Sequence, residues 1–114
     1  MKPRYWQILW LGLVALFIFI GVRPHEEPPP PGHADLIVHA TINLVLGLLA
    51  FRAFSFPRPY MLVLVGLVAV GGSIELLQSF SPNREPAVSD FAANLFGIAV
   101  AAVLAKLLHS RREV

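Results

Sequence analysis

Residues 60–80 read YMLVLVGLVAVGGSIELLQSF, and this stretch decides the fold. From Met61 to Gly72 it carries no charged residue and is hydrophobic all round. It therefore lacks the polar face that a helix on the surface of a soluble bundle keeps. Its length matches the roughly 20 apolar residues a helix needs to cross the hydrocarbon core of a bilayer. Near its end the same stretch turns polar, with Glu75 and then Gln78 three residues on. An ionisable side chain inside or at the rim of a membrane is costly and marks function more often than it marks packing.

Working outward, three further segments repeat this character: about Tyr5–Val22, Asp35–Phe54 and Ala87–His109, with Tyr60–Phe80 as the third of four in chain order. Breakers separate them. Arg23–Ala34 holds His25, Glu26, Glu27, four consecutive prolines and Gly32; Ser55–Pro59 holds Pro57 and Pro59; Ser81–Pro86 holds Pro82, Asn83 and Pro86. The proline run reads as a stiff polyproline spacer. The whole chain, 114 residues at 56% hydrophobic and 14% charged, has a mean hydropathy of +0.67. The fold expected is all-α, a single integral membrane four-helix bundle over residues 1–114 with short turns. A cleaved leader is not expected, because the first apolar run ends in Ile-Gly-Val-Arg-Pro without a small-residue cleavage site.

Lysine and arginine then set an orientation. With the N-terminus inside, the inner side holds Lys2, Arg4, Arg52, Arg58, Lys106, Arg111 and Arg112, and the outer side only Arg23 and Arg84. Seven against two predicts both termini in the cytoplasm. Tyr5, Trp6 and Trp10 fall at the inner end of the first crossing and suit an interfacial aromatic belt.

Under that topology seven polar residues gather on the outer side: Asp35, His39, Glu75, Gln78, Arg84, Asp90 and Asn94. Spacings of three or four residues put Asp35 with His39, Glu75 with Gln78, and Asp90 with Asn94 on one face of their helices. The helical rise places His39, Glu75 and Asn94 in a deeper layer, roughly 6–8 Å below the helix ends, with Asp35, Gln78, Asp90 and Arg84 as a rim above. The polar faces continue inward as small-residue stripes, His39-Asn43-Gly47 and Ala93-Gly97-Ala101, while Gly71 and Gly72 precede Glu75. Small side chains let membrane helices approach closely and turn such faces toward one another. The plain alternative is that Asp35, Asp90 and Arg84 are caps or interfacial charges, and Gln78 and Asn94 interhelical glue. Glu75 and His39 resist that reading, because a carboxylate near an imidazole is the usual proton-transfer pair.

Several chemistries are disfavoured. Cysteine is absent, which removes disulfides, thiol catalysis and cysteine metal sites. The net charge of +2 is spread around the apolar segments, so no clustered basic face is offered to nucleic acid. His25, Glu26, Glu27, His33, Asp35 and His39 match no zinc spacing, so no metal site and no cofactor are expected. No polar path reaches the inner half, where Arg52 and Lys106 can snorkel, which argues against a transporter.

At Gly71–Arg84 (GGSIELLQSFSPNR) and Ser89–Gly97 (SDFAANLFG), with Asp35 and His39 upstream, the chain resembles the VanZ-like family of small membrane proteins, over about residues 34–104. Two positions depart from the pattern. Leu36 stands where such proteins usually carry lysine, and Asn43 where they often carry an aromatic. The resemblance implies a multi-pass protein of the bacterial cytoplasmic membrane, in a group whose namesake gives low-level teicoplanin resistance.

The function expected is an outward-facing polar pocket for an envelope amphiphile: a lipid head group, a lipid-linked cell-wall precursor or a lipoglycopeptide. Arg84 would hold an anionic head, oriented by Asp90 and Gln78. Two alternatives stay open. One is a membrane hydrolase or transferase with Glu75 and His39 as the acid–base pair. The other is a non-catalytic partner subunit in which the polar set only locks helices together.

Overall fold

The computed structural model describes residues 3–22, 34–78, 80 and 88–112. Four helices follow in chain order: α1 (Pro3–Val22), α2 (Ala34–Ala53), α3 (Arg58–Gln78) and α4 (Val88–Arg112). All four are long and apolar enough to cross a membrane. The boundaries lie close to those read from the sequence. The differences are physical: Pro3 and Pro59 are tolerated in a first helical turn, where a backbone N–H has no partner to lose, so α1 and α3 start before Tyr5 and Tyr60. At its other end α4 runs beyond His109 to Arg112.

Burial is arranged as a lipid environment requires. Large apolar side chains point outward along the helices, among them Ile8, Ile37, Val65 and Phe96, with Leu62 70% exposed. Inside lie Leu46, Ala50, Phe51, Leu64, Leu67, Ile98, Ala101 and Ala105, together with the polar residues Asn43, Asp90 and Asn94. A soluble protein exposing so continuous an apolar surface would aggregate; a bilayer covers it.

The closest packing is between α2 and α4, which run parallel. A side chain on Gly97 would collide with the Ala40 carbonyl, and one on Gly47 with the Ala101 methyl. Glycine at those two positions is what lets the backbones approach. α3 lies antiparallel to both.

One end of the bundle, where α1 and α3 begin and α2 and α4 finish, is stitched by side chains bonding to backbone. Trp10 Nε1 donates to the Leu46 carbonyl at 2.9 Å, and Gln7 Nε2 donates to the Ala53 carbonyl at 3.0 Å. The fully buried Tyr60 hydroxyl donates to the Gly47 carbonyl at 3.1 Å, with the Ala101 carbonyl at 3.4 Å. Aromatic edges fill the space between: Trp10 meets Phe54 at 5.3 Å, and Phe51 meets Tyr60 at 5.9 Å. This corrects the interfacial-belt expectation for Trp10, which is buried and ties α1 to α2. Trp6 is half-buried, with the Arg52 guanidinium 5.9 Å from its ring centre, while Tyr5 is exposed.

Candidate functional site

The opposite end is built differently. On each of α2, α3 and α4 two residues four apart face the same interior: His39 and Asn43, Gly71 and Glu75, Asp90 and Asn94. Because α2 and α4 are parallel, their pairs meet in register. Positions 39 and 90 differ by the same 51 residues as positions 43 and 94. The result is two rungs.

The rung nearer the bundle's middle is amide. Asn43 Nδ2 donates to Asn94 Oδ1 at 2.7 Å and to the His39 carbonyl at 2.9 Å. Both side chains are sealed, Asn43 at 0% and Asn94 at 2% exposure. Gly71 makes room from α3; a Cβ there would stand 3.0 Å from Asn94 Nδ2. An amide pair in a dry interior has no water to turn to, so each partner fixes the other and with it the register of α2 against α4.

The outer rung is ionisable. His39 Nε2 lies 3.8 Å from Asp90 Oδ2. Glu75 joins them from α3, and one donor atom from each of His39, Glu75 and Asp90 falls within 4.8 Å of the others. Asp90 is only 6% exposed, and His39 and Glu75 are half-buried. Asp90 also sits in the first turn of α4, where the positive end of the helix dipole favours a carboxylate. Two carboxylates and an imidazole so close together in apolar surroundings are held by sharing a proton or a cation, or by receiving a polar ligand.

The arrangement revises the layers expected from helical rise. Asp90 was expected in the rim, yet it is buried in the ionisable rung with His39 and Glu75. Asn94 was expected beside His39 and Glu75, yet it bonds one turn deeper, to Asn43. The reason is that rise along separate helices ignores their relative shift, which the Gly97–Ala40 contact sets. Asn43 belongs to the site and was read only as part of a packing stripe. The signal for it was its spacing of four from His39, matching that of Asp90 and Asn94. Arg84 and the side chains of Asp35 and Gln78 lie outside the described residues.

An apolar groove of about 300 Å³ opens between α1 and α2, lined by Leu13, Phe17, Ile20, Thr41 and Val45. A second, of about 280 Å³, runs between α2 and α4 past Ile37, Leu44 and Phe96. No family model, curated protein or solved structure matches the chain.

Proposed function

We propose that this is a VanZ-like protein of the bacterial cytoplasmic membrane, both termini cytoplasmic, whose outward-facing polar cluster receives the head of an envelope amphiphile. The ligand class is a lipid head group, a lipid-linked cell-wall precursor or a lipoglycopeptide, and glycopeptide resistance is the phenotype that such binding would serve. One observation carries the reading: His39, Glu75 and Asp90 come from three different helices and bring donor atoms within 4.8 Å of one another at one end of an otherwise apolar bundle. The seven-to-two lysine and arginine distribution supports the outward orientation. Two apolar grooves on α2, the helix that carries His39, offer a place for acyl chains. Arg84 would then meet the anionic part of that head.

Lipids co-purified in mild detergent, compared by mass spectrometry between wild type and Glu75→Gln, test the reading. A species enriched on the wild type and lost from the folded variant is expected. Identical lipid profiles would remove the cluster from ligand binding.

A second reading is favoured by the His39–Asp90 approach of 3.8 Å. A carboxylate beside an imidazole fixes the orientation of the ring, as acid–base catalysis requires. The protein would then be a membrane hydrolase or transferase with Glu75 and His39 exchanging the proton. Turnover of membrane lipids by the purified protein, abolished by both Glu75→Gln and His39→Ala, is the outcome that separates catalysis from binding.

A further inference from the structure

From the outer rung we infer that His39, Glu75 and Asp90 form a binding site for a divalent transition-metal cation, with zinc the best match. The inference rests on the reading of this cluster as a ligand site and gives it a means of holding an anionic head group.

The donor chemistry comes first. One imidazole and two carboxylates combine the nitrogen ligand that suits zinc and iron with the hard oxygens that suit manganese and magnesium. Three protein ligands with a position left open is the pattern of zinc sites that engage a further ligand. Magnesium is the poorer match, since it keeps most of its waters and rarely uses imidazole.

Geometry agrees with this. Donors bound tetrahedrally about 2.0–2.1 Å from a zinc ion stand roughly 3.3 Å apart. The His39–Asp90 separation of 3.8 Å is close to that, and the 4.8 Å bound on the whole set asks for side-chain rotation rather than helix movement. Each ligand sits on a separate helix, which fixes the three approach directions. This is also why no zinc spacing is legible along the chain.

A second observation comes from the amide rung. Asn43 spends its Nδ2 on Asn94 and on the His39 carbonyl, whereas its Oδ1, in a side chain with no exposure, has no hydrogen-bond partner among the described residues. A buried amide oxygen is costly in that condition, and it lies one turn from a ligand histidine. It is therefore an acceptor left over in the dry interior, open to a water that a bound ion would bring.

Charge explains why the cation matters to the proposed function. Two carboxylates repel a phosphate or a carboxylate head. A dication cancels both and leaves an electrophilic position facing the incoming oxygen. The cluster then binds what its bare charges would reject.

Zinc itself is the first probe. Full-length protein in detergent micelles is stripped with chelator, dialysed against Zn2+ and measured by elemental mass spectrometry. About one zinc per chain is expected, and Glu75→Gln, Asp90→Asn and His39→Gln should each weaken affinity at least ~100-fold, since ligands matter more than the groups that orient them. Lys106→Ala, at the far end of α4, should leave zinc binding unchanged.

Co2+ gives a readout on wild type alone: visible absorption bands typical of four-coordinate cobalt, displaced by Zn2+, are expected. Substoichiometric zinc with no cobalt bands on folded wild type overturns the inference even if every variant misfolds. Zinc retained equally by all three variants reduces it to an adventitious ion only. Zinc bound normally with no lipid difference between wild type and Glu75→Gln defeats the proposed function instead. A lipid difference that survives chelation leaves that function standing without the metal.

Discussion

The two ends of the bundle solve the same packing problem with different chemistry. At the end where α1 begins, indole, phenol and amide side chains cap backbone carbonyls, and aromatic edges fill the gaps. Gln7, Trp10 and Tyr60 are each matched to a carbonyl there. At the other end, ionisable groups from three helices bring donor atoms within 4.8 Å of one another. The first arrangement makes a rigid base. The second spends stability on a cluster that a bundle needing only to hold together would have built from leucine. What the difference teaches is a division of labour: one end supports, and the other presents chemistry.

The strongest test of that division breaks both ends at once. Gly97→Val drives a side chain into the Ala40 backbone and should cost about 3 kcal/mol, or prevent folding, because backbone does not yield as a side-chain tip does. Unfolding of the detergent-solubilised protein, followed by tryptophan fluorescence, measures it. An unchanged transition would mean that α2 and α4 do not meet there.

Asn94→Ala comes next. It strands the Asn43 amide in a dry interior and should cost roughly 1–2 kcal/mol. Adding Asn43→Ala should recover part of that loss, and strict additivity of the two would deny that the amides pair. Tyr60→Phe, at the supporting end, should cost about 1 kcal/mol and leave zinc and lipid binding as in wild type. Reduced binding in that variant would show that the ends are not independent.

Glu75→Gln should have the smallest effect on stability, within about 1 kcal/mol and of either sign, because it removes charge from a crowded site. Its binding defect should nevertheless be the largest among the variants that fold. If it destabilises more than Asn94→Ala, the ionisable rung is a structural lock and the partner-subunit reading gains.

Much of this was legible in the sequence because bilayers allow few solutions. The apolar run of 61–72 and the proline-bearing breaks dictated four spans, and the structure places all four within a few residues of expectation. The four-residue spacing of Glu75 from Gly71, and of Asn94 from Asp90, revealed which faces turn inward. The sequence could not reveal the shift of one helix along another, which depends on the fit of Gly97 and Gly47 against α2 and α4 neighbours. That shift seals Asp90 beside His39 and joins Asn94 to Asn43. Trp10 was misjudged for a related reason: indole suits both a membrane interface and a buried donor, and only the nearness of the Leu46 carbonyl decides between them.

Convergence of the three ionisable groups can be measured without any ligand. Solid-state NMR in bilayers, with 15N in the histidine rings and 13C in the aspartate carboxyls, reads the distance from the His39 ring to the Asp90 carboxyl directly. Strong dipolar dephasing, corresponding to about 4–5 Å and absent from Asp90→Asn, is expected from the 3.8 Å approach. No dephasing at His39 would place the two side chains apart in the membrane and contradict the site altogether.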